Sequence, residues 1–472
     1  MFTNSKSFSR RCFLRRCAGF GAFACLPALG DRLSKGSVRL RLGVVSDIHV
    51  REGDESCDTT VFRRALAYFR DQGVDAVMIA GDMSDWGKIS DLQLVADAWY
   101  DVFPDDKLPD GRHVEKLFVY GNHDLNGEGR SDLHANMIAQ SEASKAAAWE
   151  RCFKEKYETI WLKDVKGYKI VGAHWGYEKR ADLAAFLRAH AAELKGPQPF
   201  FFVQHAHPKG TCMGDWAWGH DDGISTAALA AFSNAVAFTG HSHYALTDER
   251  SVWQGAFTSV NTSSLRYSGN EYNLYDNAPG NSFGFSERPR SGATPLLSTL
   301  PFGQQGQLVE VYDHELVLRR LEFTTCGPLG DDWIIPWPMD GSFAFAARAA
   351  KRVAPAFAPA DKLRVISRRD DKSGDCLDVF IPAARAVDGC RPFAYEVTAT
   401  LLADDADLVI AQKRVLANGF NAPFSGATGE TQCSFKVAEL PKGASIRFDV
   451  RPIECFGKKG GAISVLASSG EI

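Results

Sequence analysis

The sequence predicts an α/β body of layered sheets followed by a smaller all-β sandwich, and three observations predict it. Short apolar runs alternate with helix-period segments up to about residue 325. Helical periodicity then stops beyond a stretch marked by Pro355, Pro359 and neighbouring alanines. The chain is long enough, at 472 residues with 45% hydrophobic and 24% charged, to bury a sizeable core in each body.

The first strand is read at Leu42–Val45. An amphipathic helix follows over 58–72, with Val61, Phe62, Ala65, Leu66 and Phe69 at helical spacing, Asp58 as its N-cap and Gly73 as its stop. Ala76–Ala80 and Leu117–Tyr120 are the next strands. Lys169–Ala173, Phe200–Gln204 and Val236–Thr239 come later, with helices near 142–155 and 181–194. Residues 266–305, rich in Gly, Pro, Ser and Asn, read as a long irregular excursion before paired strands at Gln307–Tyr312 and Glu315–Phe323. These limits place the first body at 38–335 and a linker at 336–362. From 363 to 472 the runs Leu377–Ile381, Ala394–Leu402, Val409–Val415, Gln432–Val437 and Ser445–Val450 are separated by turn-rich stretches. That is the pattern of an immunoglobulin- or fibronectin-like sandwich.

Residues 1–30 read as a targeting segment. They carry Lys6, Arg10, Arg11, Arg15 and Arg16 and no acid, ahead of a mildly apolar stretch from Cys17 to Leu29. Ser9-Arg10-Arg11-Cys12-Phe13-Leu14 resembles the twin-arginine export signal, which implies a periplasmic or extracellular protein. Ala28-Leu29-Gly30 offers small residues for cleavage, whereas Ala22-Phe23-Ala24 is a poor approach to lipidation at Cys25. Loss of the five basic residues takes the formal charge from −4 to −9. With no Lys/Arg block to track a phosphate backbone, a nucleic-acid groove is not indicated. No apolar run reaches the length of a bilayer-spanning helix. Three of the eleven cysteines fall in the targeting segment, and no C-x-x-C pair supports a zinc knuckle. Cys376, Cys390, Cys433 and Cys455 leave disulfides and buried free thiols equally open.

The chemistry lies in polar residues placed just after apolar strands. Asp47 and His49 follow Val44-Val45-Ser46, two apart, so that strand alternation would aim both the same way. Asp82 follows Ala80-Gly81. Asn122, His123 and Asp124 follow Tyr120-Gly121. His205 follows Val203-Gln204, and His241 and His243 follow Thr239-Gly240. Residues at strand carboxyl ends converge in α/β sheets. Two carboxylates, an amide oxygen and four imidazoles suit Mn, Fe or Zn, and two such dications would leave a residual positive charge that favours a phosphate.

In these residues the chain resembles the calcineurin-like metallophosphoesterases, which share D-x-H, GD, GNH, H and GH-x-H in this order. The resemblance implies an αββα sandwich for the first body and two divalent metal ions. It assigns Asp47, His49 and His243 to one ion and Asn122, His205 and His241 to the other, with Asp82 shared. It places His123 beside the phosphate, not on a metal, and with Asp82 in the catalytic set. Either His205 or His207 fits the lone-histidine motif; His205 is preferred because it directly follows the strand. His174 ends a strand where the family has no motif. Asp85, where purple acid phosphatases carry an iron-binding tyrosine, and His49, in place of their glycine, set the chain apart from that subgroup. Asp124 is expected to hydrogen-bond to the site rather than to ligate. Asp215, Trp216, Trp218, His220 and Asp222 form a cluster that suits either a substrate pocket or a packed loop.

The expected function is hydrolysis of a phosphate ester, mono- or diester, by metal-bound hydroxide outside the cytoplasm. Its substrate would be a phosphorylated small molecule or a lipid or glycan phosphate. A non-catalytic exported binding protein with a structural metal centre is the alternative, and the intact His123 speaks against it. In a third reading the sandwich captures a glycan or partner on which the esterase acts.

Overall fold

In a computed structural model of the chain, the described residues are 36–130, 134–212, 221–270, 296–297, 303–369, 374–403, 406–423 and 429–468. The expected targeting segment lies outside them. The first body opens with β1 (Leu40–Val45), α1 (Thr60–Gln72), β2 (Ala76–Ala80), α2 (Ile89–Val102), β3 (Glu115–Val119) and α3 (Glu142–Phe153). It continues with β4 (Ile160–Val165), β5 (Tyr168–Ala173), α4 (Ala181–Ala189), α5 (Ala191–Leu194) and β6 (Phe200–Val203). Last come α6 (Ile224–Leu229), β7 (Ala235–Thr239), β8 (Val252–Gln254) and β9 (Thr258–Asn261).

Two sheets carry these strands. In one, β1, β2 and β3 run parallel, and Gln305–Val311 closes antiparallel on β1, followed by Glu315–Glu322. In the other the order is β4-β5-β6-β7-β9-β8, with β5, β6, β7 and β9 parallel. Their inner faces meet in one buried core, where Leu42, Val44, Met78 and Leu117 join Ile170, Phe201, Val236 and Phe238. The outer face of the first sheet packs Val77, Ile79 and Phe118 against Phe62, Leu66, Leu92, Trp99 and Phe153 of α1, α2 and α3. The outer face of the second packs Phe200, Phe202 and Ala237 against Leu183, Leu187 and Leu229 of α4 and α6. The result is a helix–sheet–sheet–helix layering. Strands covered on both faces are why β2 and β6 read as unbroken apolar runs.

Helix α1 starts one residue later than its sequence suggests, because the Asp58 carboxylate accepts the Thr60 N–H at 2.8 Å and Thr59 sits at the cap. Helix α2 has no counterpart in the sequence reading. It buries Leu92, Val95, Ala96 and Trp99, yet Lys88 ahead of it supplies no capping side chain. The expected linker is partly ordered: Trp333–Pro336 adds to the first sheet, and α7 (Phe345–Lys351) lies inside 336–362.

Beyond it, Arg364–Arg368, Cys376–Ile381 and Thr431–Lys436 form a three-stranded antiparallel sheet. Ala394–Leu401, Leu408–Leu416, Ser445–Ile453 and Ile463–Ser468 form a four-stranded one. Their shared core includes Val379, Phe435, Val397 and Phe448, with the Phe435 and Phe448 rings 5.1 Å apart. This all-β region is fastened to the first body by Arg391, which donates to the carbonyls of Leu329, Phe420 and Ala422, and by Gln305, which donates to the Asn421 carbonyl at 3.3 Å. Cys57, Cys152, Cys212, Cys326, Cys376, Cys390, Cys433 and Cys455 are all free thiols. Among the described residues no helix is long and apolar enough to cross a membrane.

Candidate metal centre

The carboxyl ends of β1, β2, β3, β6 and β7 bring the predicted residues together, but not by strand alternation. Strand β1 stops at Val45, and both Asp47 and His49 lie beyond it with left-handed backbones, φ 51° and 52°. Asp82, His241 and His243 share that conformation at φ 53°, 68° and 56°. Non-glycine residues rarely adopt it, and its cost is tolerated where a site over-determines the geometry. The turns are stitched by backbone bonds: Asp47 N–H to Gly81 O at 3.0 Å, Ile48 N–H to Asp82 O at 2.8 Å, and Gly240 N–H to His205 O at 2.9 Å. Two motif glycines have a steric reason. A Cβ on Gly121 would strike the Asp82 carboxylate, and one on Gly240 would strike Ser46 Oγ and the Asp47 carboxylate.

The side chains fall into two groups. In the first, His243 Nε2 lies 2.9 Å from Asp47 Oδ1 and 3.1 Å from His49 Nε2. In the second, His205 Nε2 lies 2.9 Å from Asn122 Oδ1 and 3.2 Å from His241 Nδ1, which is itself 3.0 Å from Asn122 Oδ1. Asp82 Oδ2 stands between them, 3.1 Å from His205 Nε2 and 3.7 Å from His49 Nε2. Asp47–His49–His243 and Asp82–His205–His241 each have ligand atoms close enough to hold one ion. The residues fit the expected metals on this chemistry. Asp47 Oδ1 is buried without a hydrogen-bond partner, and carboxylate, amide and imidazole groups converging at these distances are a donor set that suits a divalent cation.

Electrostatics agree with a site built for cations. Burial opposes the charged form of Asp47, yet His243 and His49 hold its carboxyl well below the ordinary range. Burial likewise opposes charge on Asp82, but the facing His205 holds it at about 2. Burial works against charge on His49 and His205 too, and the carboxylates around them still raise His49 to about 10 and His205 to about 9. Neighbours fix the ring orientations. His205 Nδ1 donates to Ala80 O at 2.7 Å, which leaves Nε2 for the site. His49 Nδ1 faces Asp85 Oδ1 at 3.0 Å, while Arg51 grips the other Asp85 oxygen.

His123 stands apart from both groups, edge-on to His49 with ring centroids 4.6 Å apart and its side chain 43% exposed. Its Nδ1 donates to Asp85 O at 2.8 Å, and its backbone N–H donates to Asp82 Oδ1 at 2.8 Å. Asp124 accepts the N–H groups of Ser84 and Gly121 at 2.7 and 2.8 Å, tying two ligand turns together. His207 is not in either group. Hydroxyls of Thr239 and Ser242 occupy both its nitrogens at 2.7 and 2.8 Å, and burial pushes it down to about 3. His174 is a core residue packed on Trp149 and Tyr157, accepts the Tyr120 N–H, and is pushed by burial to about 3. Asp222 accepts the Ile224 N–H at the start of α6; Asp215, Trp216, Trp218 and His220 lie outside the described residues. The sequence reading missed three neighbours of the site. Ser46 donates to Asp47, Tyr267 lies 4.4 Å from the His243 ring, and Trp175 lies 5.7 and 5.6 Å from His205 and His241. Only Ser46, inside the first motif, left a local signal.

Residues 40–245, which hold every residue of both groups, match the family model for calcineurin-like phosphoesterases. The match spans less than half of the chain, and what it shows is similarity of this region to that family. That family uses dimetal centres and cleaves phosphoesters. Solved structures similar to the chain are distant. A predicted phosphoesterase from Streptococcus pneumoniae is 14% identical over 63% of this chain and 97% of its own, with a TM-score of 0.28. A dimetal phosphatase from Danio rerio is 12% identical over 64% of this chain and 100% of its own, at 0.37. A purple acid phosphatase from yellow lupin seeds is 14% identical over 64% of this chain and 54% of its own, at 0.41. No curated protein matches the sequence.

Proposed function

We propose that the phosphoesterase domain hydrolyses a phosphate ester with two divalent metal ions. Asp47, His49 and His243 would hold one, Asn122, His205 and His241 would hold the other, and Asp82 would serve both. The observation that carries this reading is the position of Asp82 Oδ2, within 3.7 Å of a histidine from each group. Bound dications there would supply a Lewis-acid pull on phosphoryl oxygens and acidify water. The chain's own part is orientation and proton handling. Asp85 and the Ala80 carbonyl set the His49 and His205 rings, and Asp124 locks the Asp82 and Asn122 turns together. With Nδ1–H committed to Asp85 O, His123 keeps Nε2 to hold a proton for the leaving oxygen, a role worth about 10²–10⁴ in rate.

The substrate in this reading is a phosphorylated small molecule or a lipid or glycan phosphate, and the C-terminal immunoglobulin- or fibronectin-type sandwich supports or recognises it. Export by the twin-arginine route belongs to the same proposal, on the strength of Ser9-Arg10-Arg11-Cys12-Phe13-Leu14. The metal-loaded protein should turn over a chromogenic phosphomonoester or phosphodiester and lose that turnover to a chelator. A fully metal-loaded protein inert on both would make the centre structural.

A further inference from the structure

The open side of the site is chemically lopsided. Asp47, His49, Asp82, His205 and His243 are buried, so a substrate meets His123, Tyr267 and Trp175 first. Tyr267, 42% exposed, lies against His243 at the end held by the first group. Trp175, half-buried, lies against His205 and His241 at the other end. Its backbone N–H donates to the Tyr120 carbonyl at 2.9 Å, just ahead of Gly121-Asn122-His123.

Lys179 rests on that indole, with its ammonium 3.7 Å from the ring centroid. Among the described residues it makes no hydrogen bond and no ion pair. Two other cations near the site have polar partners: Arg51 pairs with Asp85 and Asp54, and Arg266 donates to the Ser56 carbonyl. Glu178, next in sequence, is fully buried and has neither hydrogen bond nor ion pair to the ammonium. A ring face holds an ammonium in place without cancelling its charge, so the cation stays available to an anion.

We propose that Lys179 anchors a second anionic group of the substrate at the His205–His241 end, so that preferred substrates carry a phosphate or carboxylate in addition to the scissile phosphoester. The inference rests on the phosphoesterase reading. Its test compares kcat/KM of the metal-loaded full chain for propyl and hexyl phosphate with that for the same esters bearing an ω-phosphate or an ω-carboxylate. The wild type should favour at least one doubly anionic ester by about tenfold, mostly through KM, as a charge-assisted contact allows. Comparing the two ω-groups identifies which anion the anchor takes. Lys179→Gln should bring that ratio near one, and Lys179→Arg should restore most of it. A wild type without the preference, or a Lys179→Gln variant that keeps it, would overturn the inference while turnover of p-nitrophenyl phosphate left the phosphoesterase reading standing. Absence of turnover on every ester, p-nitrophenyl phosphate included, would overturn both.

Discussion

The first body and the C-terminal sheets obey the same packing physics, yet they place their polar residues differently. In the first, Asp47, His49, Asp82, His241 and His243 sit in the left-handed region, and carboxylates and imidazoles are buried in mutual contact. In the described part of 363–472 the only non-glycine residue with positive φ is Asp388, at 46°, and the segment contains no histidine at all. Its interior is Leu377, Val379, Val397, Phe435, Phe448 and their neighbours. The contrast lies in the combination. Asp105, Asp106, Lys154, Lys166, Ser263 and Cys326 share the left-handed backbone outside the candidate ligand set, and Glu454 and Asp378 are buried in the other body. Among the described residues, only at the candidate site do left-handed turns bring buried carboxylates and imidazoles together.

The sharpest way to break this comparison is to remove the shared carboxylate. Asp82→Ala should abolish metal binding and turnover together, by metal analysis and a chromogenic ester assay, because water cannot replace a carboxylate facing both groups. Next in size, His123→Ala should retain both metals and lose about 10²-fold or more in kcat on an ester with a poor leaving group. Full turnover in that variant would remove His123 from the mechanism. In the other body, Arg391→Met should leave kcat and metal content alone. It strips the Leu329, Phe420 and Ala422 carbonyls of their donor and should cost about 2–4 kcal/mol in calorimetric stability. Loss of metal there would mean that the sandwich completes the site.

The smallest effect concerns His207, which burial holds neutral down to about pH 3. An unfolded chain takes that proton near pH 6.5, so acid favours unfolding and stability falls as pH drops from about 6.5 toward 3. His207→Gln has no such proton uptake. Its stability deficit against the wild type should therefore shrink by about 2 kcal/mol between pH 7 and pH 5. A deficit that is constant with pH would show that His207 is not held neutral in the fold.

Much of this architecture is legible in the sequence because apolar runs stop where the ligand turns begin. Ala76–Ala80 ends at Gly81-Asp82 and Phe200–Val203 ends at Gln204-His205, so both strand and site could be placed. The direction of Asp47 and His49 was not legible, since alternation holds only inside a strand and both residues turn by left-handed backbones. The choice of His205 over His207 rested on adjacency to β6; the fold separates them through hydrogen bonds between His207 and the hydroxyls of Thr239 and Ser242, far away in sequence. Trp175, Tyr267 and Lys179 carry no motif. They reach the site only because β5 lies beside β6 and because the segment after β9 returns to β1, where the Arg266 N–H meets the Asp47 carbonyl at 3.1 Å. The fastening of the sandwich by Arg391 to main-chain carbonyls is equally invisible to residue patterns.

The proposal that two ions would be held around Asp82 and act together is open to measurement. A metal titration of the metal-free full chain, read simultaneously by bound equivalents and by turnover of p-nitrophenyl phosphate and its bis-ester, tests it most directly. The account predicts binding that saturates at two equivalents per chain, with turnover rising chiefly as the second is filled. Saturation at one equivalent with full turnover, or at two with none, would contradict it.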